Sequence, residues 1–312
     1  MSSYRFCRTD DIGLLVDALN RCWAPYFPGE PPATAASFKR SIRDLQVWCS
    51  SCMVAFSGSD PIGVLIGAKR PSGTLVHKIA VHPDHRRQGH GRHLLASLGS
   101  KLAILGPPRI VAEIPETLAP ACELFSASGY VQEALLTDYV LEALALSERG
   151  NVARVEGLVI PVTVDDLAAN GLLGQVDGQV CWNRSVETIM ARKDDISGLA
   201  VASDERIEAC VLYRKCGMDP PTFATTSQRE LRRDLAGALA EAGETEIVSL
   251  RSFIDDGGAR LKQLLSQLRA RGMETVRFPK VHPAEISKEW MEALGFSPAG
   301  GHLLYAAKAR SA

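Results

Sequence analysis

The sequence has almost no net charge. Its 35 Lys and Arg stand against 36 Asp and Glu, leaving −1 at pH 7. That excludes a global basic field for nucleic acid or an anionic membrane, so any anion site must be built locally. No apolar run approaches a membrane span, and the start, Met1-Ser2-Ser3-Tyr4-Arg5, lacks the apolar core of a signal peptide. The eight cysteines follow no spacing framework. This argues against a secreted disulfide scaffold and fits a reducing cytosol, so a cytoplasmic location is expected. Cys49-Ser50-Ser51-Cys52 has CxxC spacing, open to a redox pair or half a zinc site. No second pair follows, and it leads into Met53-Val54-Ala55-Phe56, which favours packing beside a strand. A P-loop is missing, because no Gly-Lys-Ser/Thr occurs in a glycine-rich loop, and so is the GxGxxG dinucleotide order.

What is there is an alternation of helix and strand signals in a chain long enough for two domains. Tyr4–Cys7 reads as a strand, and Asp10 as the N-cap of a helix with Ile12, Leu15, Val16 and Leu19 on one face. A loop with Trp23, Tyr26 and Phe27 among prolines precedes a short helix carrying Phe38, Ile42 and Leu45. Met53–Phe56 and Ile62–Ala68 are strands about a Gly58-Ser59-Asp60-Pro61 turn. Thr74–Val81 is a third. A helix with Leu94, Leu95, Leu98, Leu102 and Leu105 runs to Gly106, then come a strand at Ile110–Ile114, a helix at Pro120–Ser128 and a strand at Tyr139–Leu141 closing the half. The polar stretch Leu144–Gly157 reads as a linker. The second half echoes this order faintly: a helix start at Val164, strands at Ala209–Tyr213 and Ile247–Ile254, a helix with Leu261, Leu264, Leu265 and Leu268, and Leu294-Gly295-Phe296 against Ser128-Gly129-Tyr130.

Chemistry concentrates between Leu75 and Leu95, a strand, a tight loop and a helix start. Glycines let the backbone approach a ligand there, and the free N–H groups of the helix start favour an anion, with Arg86, Arg87 and Arg92 adding charge of the matching sign. A diphosphate suits such a nest. Solvated arginines at a glycine-containing helix start are the plainer reading of RxxGxG alone.

In context the segment resembles the GNAT acetyltransferase superfamily, whose motif R/Q-x-x-G-x-G/A follows a strand ending in Val-x-Pro. Val81-His82-Pro83, Arg86-x-x-Gly89-x-Gly91 and Leu94-Leu95 match in order, as do Ala121-x-x-Leu124-Phe125 and Gly129-Tyr130 of the family's second signature. The resemblance covers roughly residues 3–142. It implies acetyl-CoA as co-substrate, with its pantetheine arm on the backbone of Ile79, Ala80 and Val81. Its diphosphate would lie in the loop formed by Arg86, Arg87, Gln88, Gly89, His90, Gly91 and Arg92. The second half matches more loosely. Gly257-x-Ala259 keeps small residues, Ile254 replaces the Arg or Gln, and Asp255 and Asp256 would repel a diphosphate.

Direct acetyl transfer needs a neutral amine, and freeing one with a pKa near 10.4 costs about 4–5 kcal/mol at pH 7. A base or a desolvating pocket is required. His77, placed on a strand face with Leu75 and Ile79, is one candidate and Glu113 on the next strand the other; a cross-strand hydrogen bond and an exposed edge charge are their plainer roles. The family often has a tyrosine acid four residues before Gly-Phe, where this chain has Phe125. Tyr130 and Tyr139 are substitutes, unless they only pack. The Val81 N–H would hold the oxyanion. Trp23, Tyr26 and Phe27 are candidate acceptor contacts, or a staple holding their loop down. His82, His85, His90 and His93 face solvent or phosphate, and no metal is expected.

These readings define an α/β chain, a mixed sheet flanked by helices, in two tandem GNAT-like domains. Residues 1–145 would carry the acetyl-CoA loop, and residues 146–312, without a working cofactor site, would shape the acceptor cleft or a homodimer interface. The implied function is acetyl-CoA-dependent N-acetyl transfer to a small amine. A non-catalytic acetyl-CoA sensor is the alternative, and a peptide acetyltransferase comes third.

Overall fold

The computed structural model describes residues 2–142, 157–174, 180–216 and 244–309. By contacts it divides into two units, one of residues 1–134 with 302–312, the other of residues 135–301. The expected boundary at 145/146, and the proposed linker apart from Gly157, fall outside the described residues.

The first unit contains β1 (Ser2–Phe6), β2 (Met53–Ser57), β3 (Asp60–Arg70), β4 (Gly73–Val81) and β5 (Arg109–Pro115), with α1 (Ile12–Cys22), α2 (Ala35–Leu45), α3 (His90–Leu105) and α4 (Ala119–Ala127). The first four strands form an antiparallel meander, and β5, reached through α3, runs parallel to β4. A helical crossover is what a parallel pair requires. Helix α1 starts one residue later than Asp10 suggests. Asp11 stands at its N-cap without capping it, because its carboxylate accepts from the Arg8 N–H and from Arg5.

Nearly all of β3 is buried, so both faces of the sheet are covered. Leu94, Leu95, Leu98 and Leu102 of α3 and Phe125 of α4 pack with Leu65, Val76, Ile110, Ala112 and Ile114 on one face. Leu15, Ala18 and Leu19 of α1 are buried outside that cluster, and α1 packs against β3, so it covers the other face. Cys49 and Cys52 are buried free thiols that burial pushes upward, and Cys52 donates to the Trp48 carbonyl at 3.3 Å. Inert packing is what such thiols do.

The strand that completes this unit comes from the far end of the chain. In β12 (Ser297–Lys308), His302–Lys308 pairs antiparallel with Pro115–Arg109 of β5. Tyr305, 5% exposed, sits in the core with its ring 6.2 Å from Phe125. The strand expected to close the first half does something else. In β6 (Val131–Glu142), residues from Thr137 onward pair with β11 (Thr275–Val281), and Tyr139 and Leu141 lie in the second unit's core. Each half lends its last strand to the other unit. The sequence carries no sign of this, because a strand has the same alternation whichever sheet it joins.

The second unit repeats the plan with β7 (Leu158–Val162), α5 (Val164–Ala169), α6 (Val186–Ala191), β8 (Ser197–Ala202), β9 (Ile207–Cys216), β10 (Glu244–Ser252), α7 (Ala259–Ala270) and α8 (Lys288–Ala293). Its strand order, β6-β11-β10-β9-β8-β7, matches β12-β5-β4-β3-β2-β1 of the first unit. The two parallel ladders are alike in detail. Each holds for two residue pairs only, Thr74↔Ile110 and Leu75↔Val111 in one, Thr245↔Val276 and Glu246↔Arg277 in the other.

The borrowed strand makes a prediction. Residues 1–145 alone lack β12 and leave the β5 edge and the Tyr305 seat open. Losing one buried aromatic costs about 3–5 kcal/mol, a large share of a domain's roughly 5–15 kcal/mol. That fragment should show no cooperative thermal unfolding, and joining residues 297–309 to it through a flexible linker should restore it. A cooperative melt from residues 1–145 alone would contradict the exchange.

Candidate functional site

The site begins where β4 and β5 part. Past Leu75 and Val111 the parallel ladder stops, so among the described residues the later half of β4 has no strand partner on its β5 side. Which backbone groups face that gap follows from the β3–β4 pairing. The His82 N–H donates to the Ile62 carbonyl, so 62·82 is a hydrogen-bonded pair and the Gly63↔Val81 and Leu65↔Ile79 pairs are not. The N–H and C=O groups of Ile79 and Val81 therefore point away from β3 into the gap, while those of Ala80 are used within the sheet. Of the three residues expected to meet a pantetheine arm, two are oriented for it.

A bulge precedes this edge. Ile66 pairs with Lys78 but Gly67 with Val76, leaving His77 as the extra residue. The alternation shifts there: Val76 and Ile79, three apart, share the α3-side core, and Leu75 lies outside that cluster. The expectation that His77, Leu75 and Ile79 share one face assumed an unbroken strand, and the bulge removes that grouping. Two steps beyond the last paired residues, His77 on β4 and Glu113 on β5 stand level across the parting strands, both half-buried.

From Val81 the chain turns through a short 3-10 segment, Pro83–His85, into α3. Arg87 has φ +61° and Gly89, the N-cap of α3, has φ +85°. A left-handed non-glycine residue costs of order 1 kcal/mol, and such strain persists where the surroundings impose it. No side chain caps α3, and no acidic residue lies in its first turn. The result is an anion nest with its donors unspent. Gly91 is needed for another reason: a Cβ there would stand 3.0 Å from Leu124 of α4. Arg86, Arg87, Gln88 and Arg92 are all exposed around the nest.

His90 faces neither solvent nor phosphate. It is 5% exposed, with Nδ1 at 2.7 Å from the Tyr4 hydroxyl of β1 and Nε2 buried with no partner among the described residues. Only its backbone belongs to the nest. His93 stacks on Tyr4 at 3.7 Å between ring centroids. Among the described residues no group of three or more His, Cys, Asp or Glu could hold a metal ion.

The loop after α1 is pinned rather than open. Trp23 stacks on Phe27 at 4.4 Å, and its Nε1–H donates to Glu30 at 3.0 Å. Lys78 of β4 lies over the Trp23 ring at 4.6 Å and 3.7 Å from Glu30. Burial lowers the Lys78 pKa, and Glu30 offsets part of that effect. The Tyr26 hydroxyl donates to the Val81 carbonyl and accepts from Arg86 Nε. All three aromatic candidates thus hold this loop in place. Glu30 and Lys78 escaped the sequence reading; a lysine inside a strand of buried residues was the available sign of the second, and nothing marked the first.

A family model described as Acetyltransferase (GNAT) matches residues 15–130. The match identifies those residues as a GNAT acetyltransferase domain. No curated protein matches the sequence. Solved structures share its fold over the full length. A tandem GNAT protein from the clavulanic acid biosynthesis pathway has TM-score 0.59 at 16% identity, covering 100% of both chains. A GCN5-related N-acetyltransferase from Sphaerobacter thermophilus has TM-score 0.60 at 14% identity, covering 99% of this chain and 96% of that one. The domain match supports acyl-CoA-dependent acetyl transfer as the general reaction class, and the fold is that of two GNAT units in tandem.

Within this GNAT frame Phe125 is buried in the α4 core, with its ring 4.9 Å from Tyr130. Tyr130 is buried too, and burial raises its phenol pKa, which makes it a poorer proton donor. Tyr139 lies in the other unit's core, opposite Phe278.

The second GNAT-like unit has the same helix start with the donors spent. Gly258, φ +81°, caps α7 as Gly89 caps α3. The cap aligns Gly258, not Gly257, with Gly89, and so puts Arg260 where Gly91 stands. The Asp256 carboxylate accepts from the Gly258 and Arg260 N–H groups, each at 2.9 Å, and from the Arg260 guanidinium at 3.1 Å. Burial alone would raise its pKa, but these bonds hold it below the ordinary value. Arg260 also pairs with Glu208. Asp256 occupies the position an external anion would take.

His90 supplies a pH test. Burial first, then the neighbouring His85 and His93, hold its pKa below the ordinary 6.5. The unfolded chain therefore takes up the proton sooner, so His90 contributes fully above pH 6.5 and destabilises as pH falls below it. Melting temperatures measured downward from pH 6.5 should drop more steeply for the wild type than for His90→Leu. Parallel pH profiles would rule this out.

Proposed function

We propose that the first unit transfers the acetyl group of acetyl-CoA to the nitrogen of a small amine. The observation that carries this reading is the contrast between the two glycine-capped helices. The start of α3 leaves its N–H groups to an external anion beside a strand edge with no partner, whereas Asp256 fills the start of α7. A diphosphate fits the nest from Arg86 to Arg92, and an amide-bearing arm fits the Ile79 and Val81 groups as an added strand would. The second unit then has no donor seat.

The reacting end of such a donor lies by the parting of β4 and β5, where His77 and Glu113 stand level. One of them takes the amine proton, directly or through water, before attack on the thioester carbon. Val81 keeps its N–H directed into the gap for the developing oxyanion. The missing tyrosine acid matters less than the base. A leaving thiolate whose thiol titrates near 8.5 needs only about 2 kcal/mol of help at pH 7, against about 4–5 kcal/mol for the amine. Phe125 therefore slows transfer without abolishing it, and a non-catalytic acetyl-CoA-binding role requires more than this one replacement.

The test is thiol release from acetyl-CoA against a panel of amines. Gly89→Glu puts a carboxylate and a strained side chain into the nest and should abolish acetyl-CoA binding while leaving the fold intact. His77→Gln or Glu113→Gln, whichever residue is the base, should lower kcat by about 100-fold or more with acetyl-CoA binding unchanged. Binding without turnover on any amine would favour the sensor. Full activity in both base variants would remove the assignment of the proton acceptor.

A further inference from the structure

Tyr26 is built into three parts of the first unit at once. It ends a short 3-10 turn, Ala24–Tyr26, in the loop that carries Trp23, Phe27 and Glu30. Its hydroxyl donates to the carbonyl of Val81, the last residue of the unpartnered β4 edge. The same oxygen accepts from Arg86, the first residue of the nest, whose guanidinium lies 4.2 Å from the Tyr26 ring centroid. The hydroxyl cannot lose its proton without losing the bond to Val81, and burial keeps the phenol protonated by raising its pKa.

The Val81 carbonyl points into the gap, where a ligand lying along β4 would meet it, and Tyr26 has already taken it. The loop is tied to β4 a second time, through Lys78 against Glu30 and the Trp23 ring. A donor paired with Ile79 and Val81, and seated in the nest, immobilises the residues from which this loop hangs.

We propose that Tyr26 is a positioning residue that couples the donor seat to the loop of residues 23–31, so that acetyl-CoA binding orders the loop on the acceptor side. This rests on the acetyltransferase reading above. Tyr26 touches no reacting atom in this account and acts through Val81 and Arg86.

Hydrogen exchange of the full-length chain, with and without acetyl-CoA, tests it, with calorimetry run in parallel to measure binding. In the wild type, acetyl-CoA should slow exchange in residues 23–31 by about 5- to 150-fold, the range of ordinary coupling between sites. Tyr26→Phe keeps the ring over Arg86 and removes both hydrogen bonds. It should still bind acetyl-CoA, within about tenfold of the wild-type Kd, while the loop's protection on binding largely disappears. Arg86→Gln, which leaves the Val81 bond in place, should lose part of that protection. Equal protection in Tyr26→Phe and wild type overturns the coupling, as does wild-type binding that leaves the loop's exchange unchanged. Absence of any binding heat in the wild type would sink the acetyltransferase reading and the coupling with it, and the calorimetry separates that failure from the other two.

Discussion

The unsatisfied N–H groups at the start of α3 are the constraint on which the rest of the first unit depends. A helix leaves its first four N–H groups unbonded, and most helices satisfy some with a side chain. Thr34 does so for α2, Thr163 for α5 and Ser287 for α8. Here Gly89 removes the cap, and Arg87 accepts a left-handed backbone so that the loop keeps its turn. An arrangement that forgoes a cap and adds strain is what the proposed diphosphate seat requires. The second unit shows the alternative within the same molecule, where an aspartate two residues before the glycine cap closes an otherwise similar helix start.

The sheet gives that helix start its reach. A parallel ladder of two pairs opens at once into a gap, and an antiparallel ladder of known phase turns the Ile79 and Val81 groups into it. Strand edges with unspent donors and acceptors invite pairing, and proteins normally cover them. Among the described residues this one is covered only at its end, by the Tyr26 hydroxyl on the Val81 carbonyl. The far side of β5 is closed by β12, which makes the unit's integrity depend on the other end of the chain.

Much of this was readable from the residues. Period-two strands around Gly58 and Gly73, the leucine face of α3 and the small residues of the nest each report a local requirement, and local requirements survive in a single sequence. The echo of the first half in the second was also real, though the helix cap shifts the alignment by one residue. What escaped was non-local. Tyr139 belongs to the second unit because of the sheet its strand joins, and Tyr305 to the first for the same reason. The bulge at His77 depends on a count of residues in two strands. Asp256 looked like a charge that repels phosphate and proved to be the anion already bound, which only three-dimensional proximity reveals. Tyr26 read equally as an acceptor contact or a staple for its loop, and its hydroxyl bonds to Val81 and Arg86 could not be foreseen from the residues.

The central claim is that this chain has one donor seat, open in the first unit and closed in the second. Titration calorimetry of the full-length protein with acetyl-CoA measures it most directly. The account predicts a single site per chain, lost on Gly89→Glu and kept on Asp256→Ala. Two sites per chain, or one site that survives Gly89→Glu, would contradict it.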